Sequence, residues 1–388
     1  MPSVKYRLFF NNISATQEQL DRFEEITVSQ GMGMAWEAQL QMPIVTDEKG
    51  RWLGEADRFI ADFNPLRIEV QVGDGDFVPL IDGPILGSQR ELNAEPGRSM
   101  LTIRVQDDSY YLNREEKQYH FERLRDDEIA TQLFQEFPGV IKERKIDPTP
   151  TPLVTPIPDV VRRGTAMHLL RFLADRQSLN AYVLPGSQPG HSIGCFQELP
   201  TRTDGLPSLV LLGSDRNVFN FNPSNDSQQP ARFRAYAVGL SDKRITRSDS
   251  DLEVVPRLGT APTTPPDSAV QLLWPRHGDT VDLDRWVAAQ TLQASYSISA
   301  TGSVVADCYA GVLSPYRLIQ VCGANTRESG TYLISRVTHR LTRSQYSQEF
   351  TLRRNAQSED SASNNNAGIA VAAGVGISFS FNVQGRIF

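Results

Sequence analysis

The chain has 388 residues and a mass of 43.3 kDa, which is enough for two or three domains that bury their own cores. A composition of 39% hydrophobic and 22% charged residues excludes collagen-like, coiled-coil and wholly disordered chains. Lysine and arginine number 39 against 46 acidic residues, a net charge of −7 that provides no overall cationic field for nucleic acid.

Cysteine content and terminal segments bear on the compartment in which the chain folds. Cys195, Cys308 and Cys322 are too few and too scattered for a disulfide framework or a four-ligand zinc site. The first residues lack the apolar stretch of a secretory signal, so we expect no signal peptide. The weakly polar run 368–381 has about fourteen residues, whereas a spanning helix needs roughly twenty, so we expect no membrane insertion.

The first hundred residues alternate between apolar and polar side chains, the pattern of half-buried strands. Strands are predicted at 4–10, 36–42, 68–72, 78–81 and 101–105. Gly73-Asp74-Gly75-Asp76 has the composition of a turn and predicts a hairpin between the third and fourth of these. Antiparallel strands joined by short loops predict a barrel or a sandwich.

The periodicity then changes, which predicts a mixed α/β insertion. Helices are predicted near 126–137, stopped by Pro138-Gly139, and near 165–176. Between them, 148–158 contains five prolines in eleven residues and predicts an extended connector.

Strand patterns return in the last part of the chain, at 209–212, 219–221, 233–240, 332–341 and 346–352. A helix is predicted near 282–294, and Thr301-Gly302 is predicted to be the turn of another hairpin. Residues 356–367 have the composition of a disordered linker. Beyond the linker, Ile377-Ser-Phe379-Ser-Phe381 alternates again, which predicts either a tail that orders only against a partner or a frayed terminus.

The sequence has no local catalytic motif: no Gly-x-Ser-x-Gly, no His-Glu-x-x-His and no phosphate loop. Gly31-Met-Gly33 lacks the third glycine of a dinucleotide loop and precedes a strand. Asp74-Gly75-Asp76 lacks the ligand series of a calcium loop, so a turn is favoured. We therefore expect no catalytic, cofactor or metal residues, although a carboxylate pair distant in sequence would leave no motif.

The five histidines are isolated in sequence and make no metal pattern: His120, His168, His191, His277 and His339. His168 and Asp175 are predicted to share a solvated helix face. His339 is predicted to be an ordinary half-buried strand residue.

Three stretches together resemble the baseplate hub proteins of contractile phage tails and phage-like injection systems, and the hub part of type VI secretion spike proteins. The first is the opening strand region, with Ile26-Thr-Val-Ser, 31–42, Pro79-Leu-Ile-Asp-Gly-Pro-Ile-Leu-Gly and Leu101-Thr-Ile-Arg-Val. The second is the helix-then-strand segment 163–183. The third is Gly330-Thr-Tyr-Leu-Ile-Ser-Arg-Val-Thr-His-Arg-Leu with 346–354.

The resemblance implies a β-rich α+β fold of two antiparallel β-barrels with a mixed α/β insertion, in a ring-forming homotrimer. It divides the chain into a first barrel (1–112), the insertion (113–232), a second barrel with a helix (233–355), and a linker with a C-terminal tail (356–388). Two similar barrels in each of three subunits would present six similar rims.

The implied function is structural: a trimeric adaptor that matches a sixfold inner tube to a threefold spike, without enzymatic activity or cofactor. The implied partners are the spike, the inner tube or tube-initiator protein, and baseplate wedge proteins, in a phage tail or contractile injection particle assembled in the bacterial cytoplasm. A polar or acidic lumen is expected, and the needle is expected to be a separate polypeptide. Candidate partner contacts are Ile377, Phe379, Phe381 and Phe388.

Two alternatives remain open from the sequence. A receptor- or glycan-binding tail-tip module would show saturable binding by the isolated protein. A glycan-cleaving tail enzyme would need carboxylates that converge in a cleft.

Overall fold

The structure is a computed structural model that describes residues 4–46, 49, 52–53, 58–95, 97–151, 159–227, 232–238, 243–251, 255–263, 268–273, 283–305, 308–325 and 327–358. Over these residues the chain is rich in β-strands, with five α-helices and mostly antiparallel pairing. None of the helices in the described ranges has the length and apolar character needed to cross a membrane.

The N-terminal segment is almost entirely β-structure. Its elements are β1 Val4–Phe10, β2 Ile13–Ser14, α1 Gln17–Leu20, β3 Glu25–Gly31, β4 Glu37–Pro43, β5 Val45–Thr46, β6 Trp52–Leu53, a 3-10 turn at Arg58–Ile60, β7 Pro65–Val72, β8 Val78–Glu91 and β9 Met100–Gln106. The strands expected around the Gly73-Asp-Gly-Asp turn form the predicted antiparallel pair β7 and β8.

The middle segment mixes helices and strands. Its elements are α2 Ser109–Asn113, β10 Lys117–Phe121, α3 Asp126–Gln135, β11 Ile141–Ile146, β12 Val160–Gly164, α4 Ala166–Asp175, β13 Asn180–Pro185, β14 Ser192–Gln197 and β15 Leu209–Val210. The helices α3 and α4 pack on the sheet β11-β14-β13, around Leu133, Phe134, Leu170 and Phe196. Part of the proline-rich connector, 152–158, lies outside the described residues.

The last segment returns to strands. Its elements are β16 Val218–Asn225, β17 Arg232–Val238, β18 Ile245–Asp249, β19 Ala261–Pro262, β20 Val270–Leu273, α5 Leu283–Ser295, β21 Ile298–Val304, β22 Leu318–Cys322, β23 Gly330–Thr342, β24 Tyr346–Arg354 and β25 Ala356–Gln357.

One thirteen-stranded sheet joins the two ends of the chain. Its main path runs β16-β21-β24-β23-β3-β4-β9-β8-β7-β1-β2, with β22 and β15 attached to β23. The two ends meet where β23 pairs antiparallel with β3, from Arg336 opposite Gly31 to Thr342 opposite Glu25. Residues about three hundred positions apart therefore share one hydrogen-bond ladder.

Two hydrophobic cores lie against this sheet. The first is built on Leu8, Ile26, Leu40 and Ile103 and includes Tyr346 from the C-terminal segment. The second gathers C-terminal side chains such as Tyr332, Val337 and Phe350.

Each half of the sheet also has one long strand, which is β8 in the N-terminal half and β23 in the C-terminal half. The two ends of each long strand pair with different neighbours, and the pairing of each contains a register shift.

A separate three-stranded sheet, β18-β17-β20, lies between β16 and β21 in the chain. Phe233 and Ala235 of β17 pack against Leu283 and Val287 of α5 in a small core of their own. The β17–β20 pairing is parallel, which requires the long connection between these strands.

Several expectations differ from the structure. No closed barrel is found among the described strands, which form one sheet in which β3 and β23 pair edge to edge. The boundary expected at 232 assigns β16 to the insertion, but β16 pairs with β21 in the large sheet. The linker expected from 356 begins instead with β25, which pairs with β19; residues 359–388 lie outside the described residues.

The turn expected at Thr301-Gly302 is wrong, because both residues lie inside the continuous strand β21. A Cβ atom on Gly302 would stand 2.3 Å from the Asn220 carbonyl oxygen and 2.6 Å from the Phe350 ring. The glycine is there because neighbouring atoms approach closely, a second role of glycine in strands besides turns.

Candidate functional site

One face of the large sheet carries polar side chains across seven neighbouring strands. Cross-strand pairing aligns them in rows, such as Ser303, Glu349, Thr338, Ser29 and Glu37. We call this surface the polar face. Its members are Asn220, Thr301, Ser303, Ser347, Glu349, Thr351, Arg336, Thr338, Arg340, Glu25, Thr27, Ser29, Glu37, Gln39, Gln41, Thr102, Arg104 and Gln106.

The polar face follows from the period of two in each strand. Between its members lie buried residues on the opposite side, such as Val28, Leu40, Ile103, Val337 and Phe350. Because successive side chains of a strand point to opposite faces, each strand contributes to both the core and the polar face. Pairing of β3 with β23 makes the surface continuous across both halves.

Charges of both signs are interspersed on the polar face. Its acidic members are Glu25, Glu37 and Glu349, and its basic members are Arg104, Arg336 and Arg340. The Arg340 guanidinium bonds the Glu25 carboxylate at 2.7 Å across the β3–β23 seam. The surface is therefore polar but not acidic, although the chain as a whole carries a charge of −7.

Two depressions lie on the polar face, one in each half of the sheet. The C-terminal one has a volume of about 470 Å³ and is lined by residues including Asn220, Thr301 and Arg336. The N-terminal one has a volume of about 270 Å³ and is lined by residues including Glu37 and Arg104. Both halves of the sheet thus present a hollow lined in part by polar side chains.

A buried hydrogen-bond chain spans the seam beneath the polar face. Gln30 Nε2 donates to the Leu80 carbonyl at 2.7 Å, so its Oε1 faces His339 Nε2, 3.2 Å away. An amide oxygen only accepts, so Nε2 of His339 carries the proton, and Nδ1 accepts from the Tyr346 hydroxyl at 2.8 Å. Complete burial lowers the pKa of His339 to about 3, and the ring is neutral.

The expectation of a half-buried His339 is therefore wrong: the side chain is fully buried. Its strand position was predictable, but its depth depends on the β3 strand that covers one side of β23. The polar chain fixes the register at which the two ends of the chain meet.

A second buried network attaches the insertion to the N-terminal half. Arg67 is 1% exposed and bonds Glu69 at 2.8 Å and Asp82 at 3.1 Å. The same guanidinium donates to the Gly186 carbonyl at 2.7 Å and the Gln188 carbonyl at 3.1 Å. Gly190 N–H donates to Asp82 at 2.9 Å, so the loop 186–190 is held on both sides.

Two further buried carboxyls lie at this junction. Burial raises the pKa of Asp108 to about 7, although the Ser192 hydroxyl donates to it at 2.6 Å. Burial also raises the pKa of Asp107 to about 6, against hydrogen bonds from the Trp36 and Ser109 backbone. The carboxyls have protein partners and lie inside the structure, so their shifted pKa values reflect a structural junction.

Among the described residues, the histidines singled out in the sequence do not lie together in one site. His168 is exposed on α4, as predicted, and His120 lies 3.6 Å from Asp159 at the surface. Within the described ranges, His, Cys, Asp and Glu form no group of three that could hold a metal ion. His277 and the tail residues Ile377, Phe379, Phe381 and Phe388 lie outside the described residues.

The comparisons with known proteins rest on the fold. No protein-family model and no curated sequence matches the chain. Among solved structures, a tail protein from Neisseria meningitidis MC58 has a TM-score of 0.62 at 12% identity, over 91% of this chain and 97% of that one. The prophage MuSo2 43 kDa tail protein from Shewanella oneidensis has a TM-score of 0.62 at 14% identity, over 92% and 100%.

A chain of the Francisella PdpA-VgrG complex is also similar, with a TM-score of 0.52 at 10% identity over 92% of this chain and 59% of that one. These similarities extend over nearly the whole of this chain. The protein thus has the β-rich fold of these two tail proteins and of a chain of the PdpA-VgrG complex.

Proposed function

We propose that the protein is the baseplate hub of a phage tail or related contractile injection particle, in which three copies form a ring. In that ring each of the two β-rich halves acts as one barrel-like unit, so that three chains present six similar units to a sixfold tube. The observation that carries the proposal is the edge-to-edge joining of two β-rich halves in one sheet with a continuous polar face.

The polar face is suited to lining the central channel. A channel wall with large apolar side chains would bind the apolar surface of anything that passes, because burying such surface is favourable. The members of the polar face are Ser, Thr, Asn, Gln, Glu and Arg residues, with charges of both signs. Such a wall stays hydrated and holds passing macromolecules only weakly.

The buried networks are suited to a ring under load. Arg67 with Asp82 fixes the insertion to the first half, and His339 with Gln30 fixes the first half to the second. Each network breaks only if buried polar groups lose their partners, which costs several kcal/mol for charged groups. The arrangement supports a subunit that transmits force as one body.

The fold comparisons support the same role. The similar structures include two tail proteins, one of them from a prophage, and the third is named for a complex that contains VgrG. By analogy, we propose a spike protein as the partner at one end of the ring, and the inner tube or tube-initiator protein at the other. Baseplate wedge proteins would contact the outside of the ring, with assembly in the bacterial cytoplasm.

A glycan-binding role would use the 470 Å³ depression, which offers hydrogen-bonding groups. Its aromatic lining residue, Phe350, is buried, so the described lining offers no exposed ring for a sugar to stack on. The channel role is therefore favoured over the glycan-binding role.

Native mass spectrometry of the purified full chain, alone and with its spike, tests the proposal. We expect an assembly of three copies of the 43.3 kDa chain, about 130 kDa without the spike. A chain that stays monomeric with the spike present would overturn the hub assignment.

A further inference from the structure

On the outer side of the small sheet β18-β17-β20, large apolar side chains lie beside the charged residues Arg234, Arg247 and Asp249. Five large apolar side chains, 41% to 72% exposed, lie on the side away from α5: Tyr236, Val238, Ile245, Val270 and Leu272. We call this surface the outer patch. The pairing places them together, with Val238 directly opposite Ile245 and with Val270 and Leu272 opposite the outward residues Arg232 and Arg234.

This sheet already has a covered side. Phe233 and Ala235 alternate with the outward residues and pack against Val287 of α5. A sheet in contact with water on one side has polar residues there, so apolar residues on both sides indicate a sheet that is covered on both. The charged residues on the same side do not cover the apolar ones, because they bond one another. Asp249 accepts a hydrogen bond from Arg234 and another from Arg247, each at 2.5 Å.

The chain itself offers a segment of matching pattern. Ile377, Phe379 and Phe381 are separated by single serines, so in an extended segment the three apolar side chains lie on one side. Their spacing is about 6.7 Å, two residues of a strand, which equals the spacing of Tyr236 and Val238 on β17.

The segment is also within reach. The described chain ends at Ser358, directly after β25, which pairs with β19. β19 ends at Pro262 and β20 begins at Val270, so eight residues, at most about 28 Å, separate the tail's point of departure from the outer patch. The nineteen residues from Ser358 to Ile377 span up to about 65 Å when extended, more than twice that distance.

We propose that Ile377, Phe379 and Phe381 cover the outer patch of their own chain. The apolar surface that both parts would otherwise expose is then buried, and this burial drives the contact. Docking within one chain does not require the ring, so this proposal stands or falls independently of the hub function.

Thiol labelling of the full chain tests the contact. Val238→Cys places a thiol in the outer patch, in a Cys308→Ser background because Cys308 is exposed. A second protein adds Ile377→Ser, Phe379→Ser and Phe381→Ser to the tail. If the tail covers the patch nine-tenths of the time, the thiol reacts about ten times faster in the second protein. Equal labelling rates in the two proteins would overturn the proposal.

The matched control places the thiol on the polar face, as Asn220→Cys, where the tail substitutions should leave the labelling rate unchanged. Equal acceleration at both positions would mean a general loosening of the fold and would also overturn the proposal.

A mixed assembly separates docking of the tail on its own chain from docking on a neighbouring chain. Chains with Val238→Cys and the substituted tail are co-assembled with intact-tail chains that lack this thiol. We expect labelling to stay fast; slow labelling would assign the patch to a neighbour's tail.

Discussion

Tyr182 and Tyr316 stack face to face, with ring centroids 3.7 Å apart and planes inclined by 6°. Tyr182 belongs to β13 of the insertion, whereas Tyr316 precedes β22 of the C-terminal half. The Tyr316 hydroxyl accepts a hydrogen bond of 2.8 Å from Gly33 N–H, in the turn between β3 and β4. One aromatic pair therefore connects all three segments of the chain.

Tyr182→Ala should destabilise the protein by about 3 kcal/mol, because it removes a largely buried ring and leaves a cavity. Phe219→Ala is the matched control, since Phe219 is 78% exposed and its loss should cost below about 0.5 kcal/mol. Urea unfolding of the two variants measures both free energies. Similar small losses would show that the stack does not hold the segments together.

Arg67→Met should destabilise the protein by about 3 to 5 kcal/mol, since the buried Asp82 carboxylate would lose its cation and Glu69 would keep only Arg7. Arg98→Ala is the control, because Arg98 pairs with Glu95 at the surface, with side chains 70% and 64% exposed. Chemical denaturation should show almost no change for the control. An Arg67→Met protein as stable as the wild type would contradict the account of the junction.

His339 should make the protein less stable as the pH falls. Its pKa is about 3 in the folded chain and about 6.5 when unfolded, so between these values the unfolded state binds the extra proton. The stability present above about pH 6.5 is thus lost on acidification, by up to about 1.4 kcal/mol per pH unit. The unfolding free energy of the wild type relative to His339→Gln should therefore fall from pH 7 to pH 5, because other titrating groups such as Asp108 affect both proteins alike. Parallel pH profiles would mean that His339 does not contribute it.

Asp108 should make the protein less stable as the pH rises, which is the opposite of the pH dependence expected for His339. Its folded pKa of about 7 exceeds the unfolded value of about 3.9, so the folded state binds more protons between these values. The contribution is complete below about pH 4 and is lost as the pH rises towards 7. Asp108→Asn should therefore gain stability relative to the wild type between pH 5 and pH 8. A constant difference over that range would contradict the raised pKa.

The local elements were largely predictable from the sequence. Alternation located β1, β4, β7 and β9, and apolar spacing located α3 and α4, because these patterns depend on residues near one another in the chain. Thr301-Gly302 has the composition of a turn but lies within β21, since glycine also allows close approach of neighbouring strands, and here Gly302 faces the Phe350 ring.

The long-range features could not be predicted in the same way. The pairing of β3 with β23 joins residues about three hundred positions apart. The alternation of apolar and polar residues within a strand predicts the strand but does not predict which strand pairs with it. The depth of His339 and the burial of Arg67 depend on that packing. The polar members of each strand were visible in the sequence, but their union into one polar face depends on the seam.

A density map of the assembled ring by electron cryomicroscopy tests the central claim most directly. The account predicts a threefold axis and a central channel lined by the polar face, with Thr338 and Ser29 on either side of each β3–β23 seam. A ring in which these side chains face outward, or an assembly without a threefold axis, would contradict it.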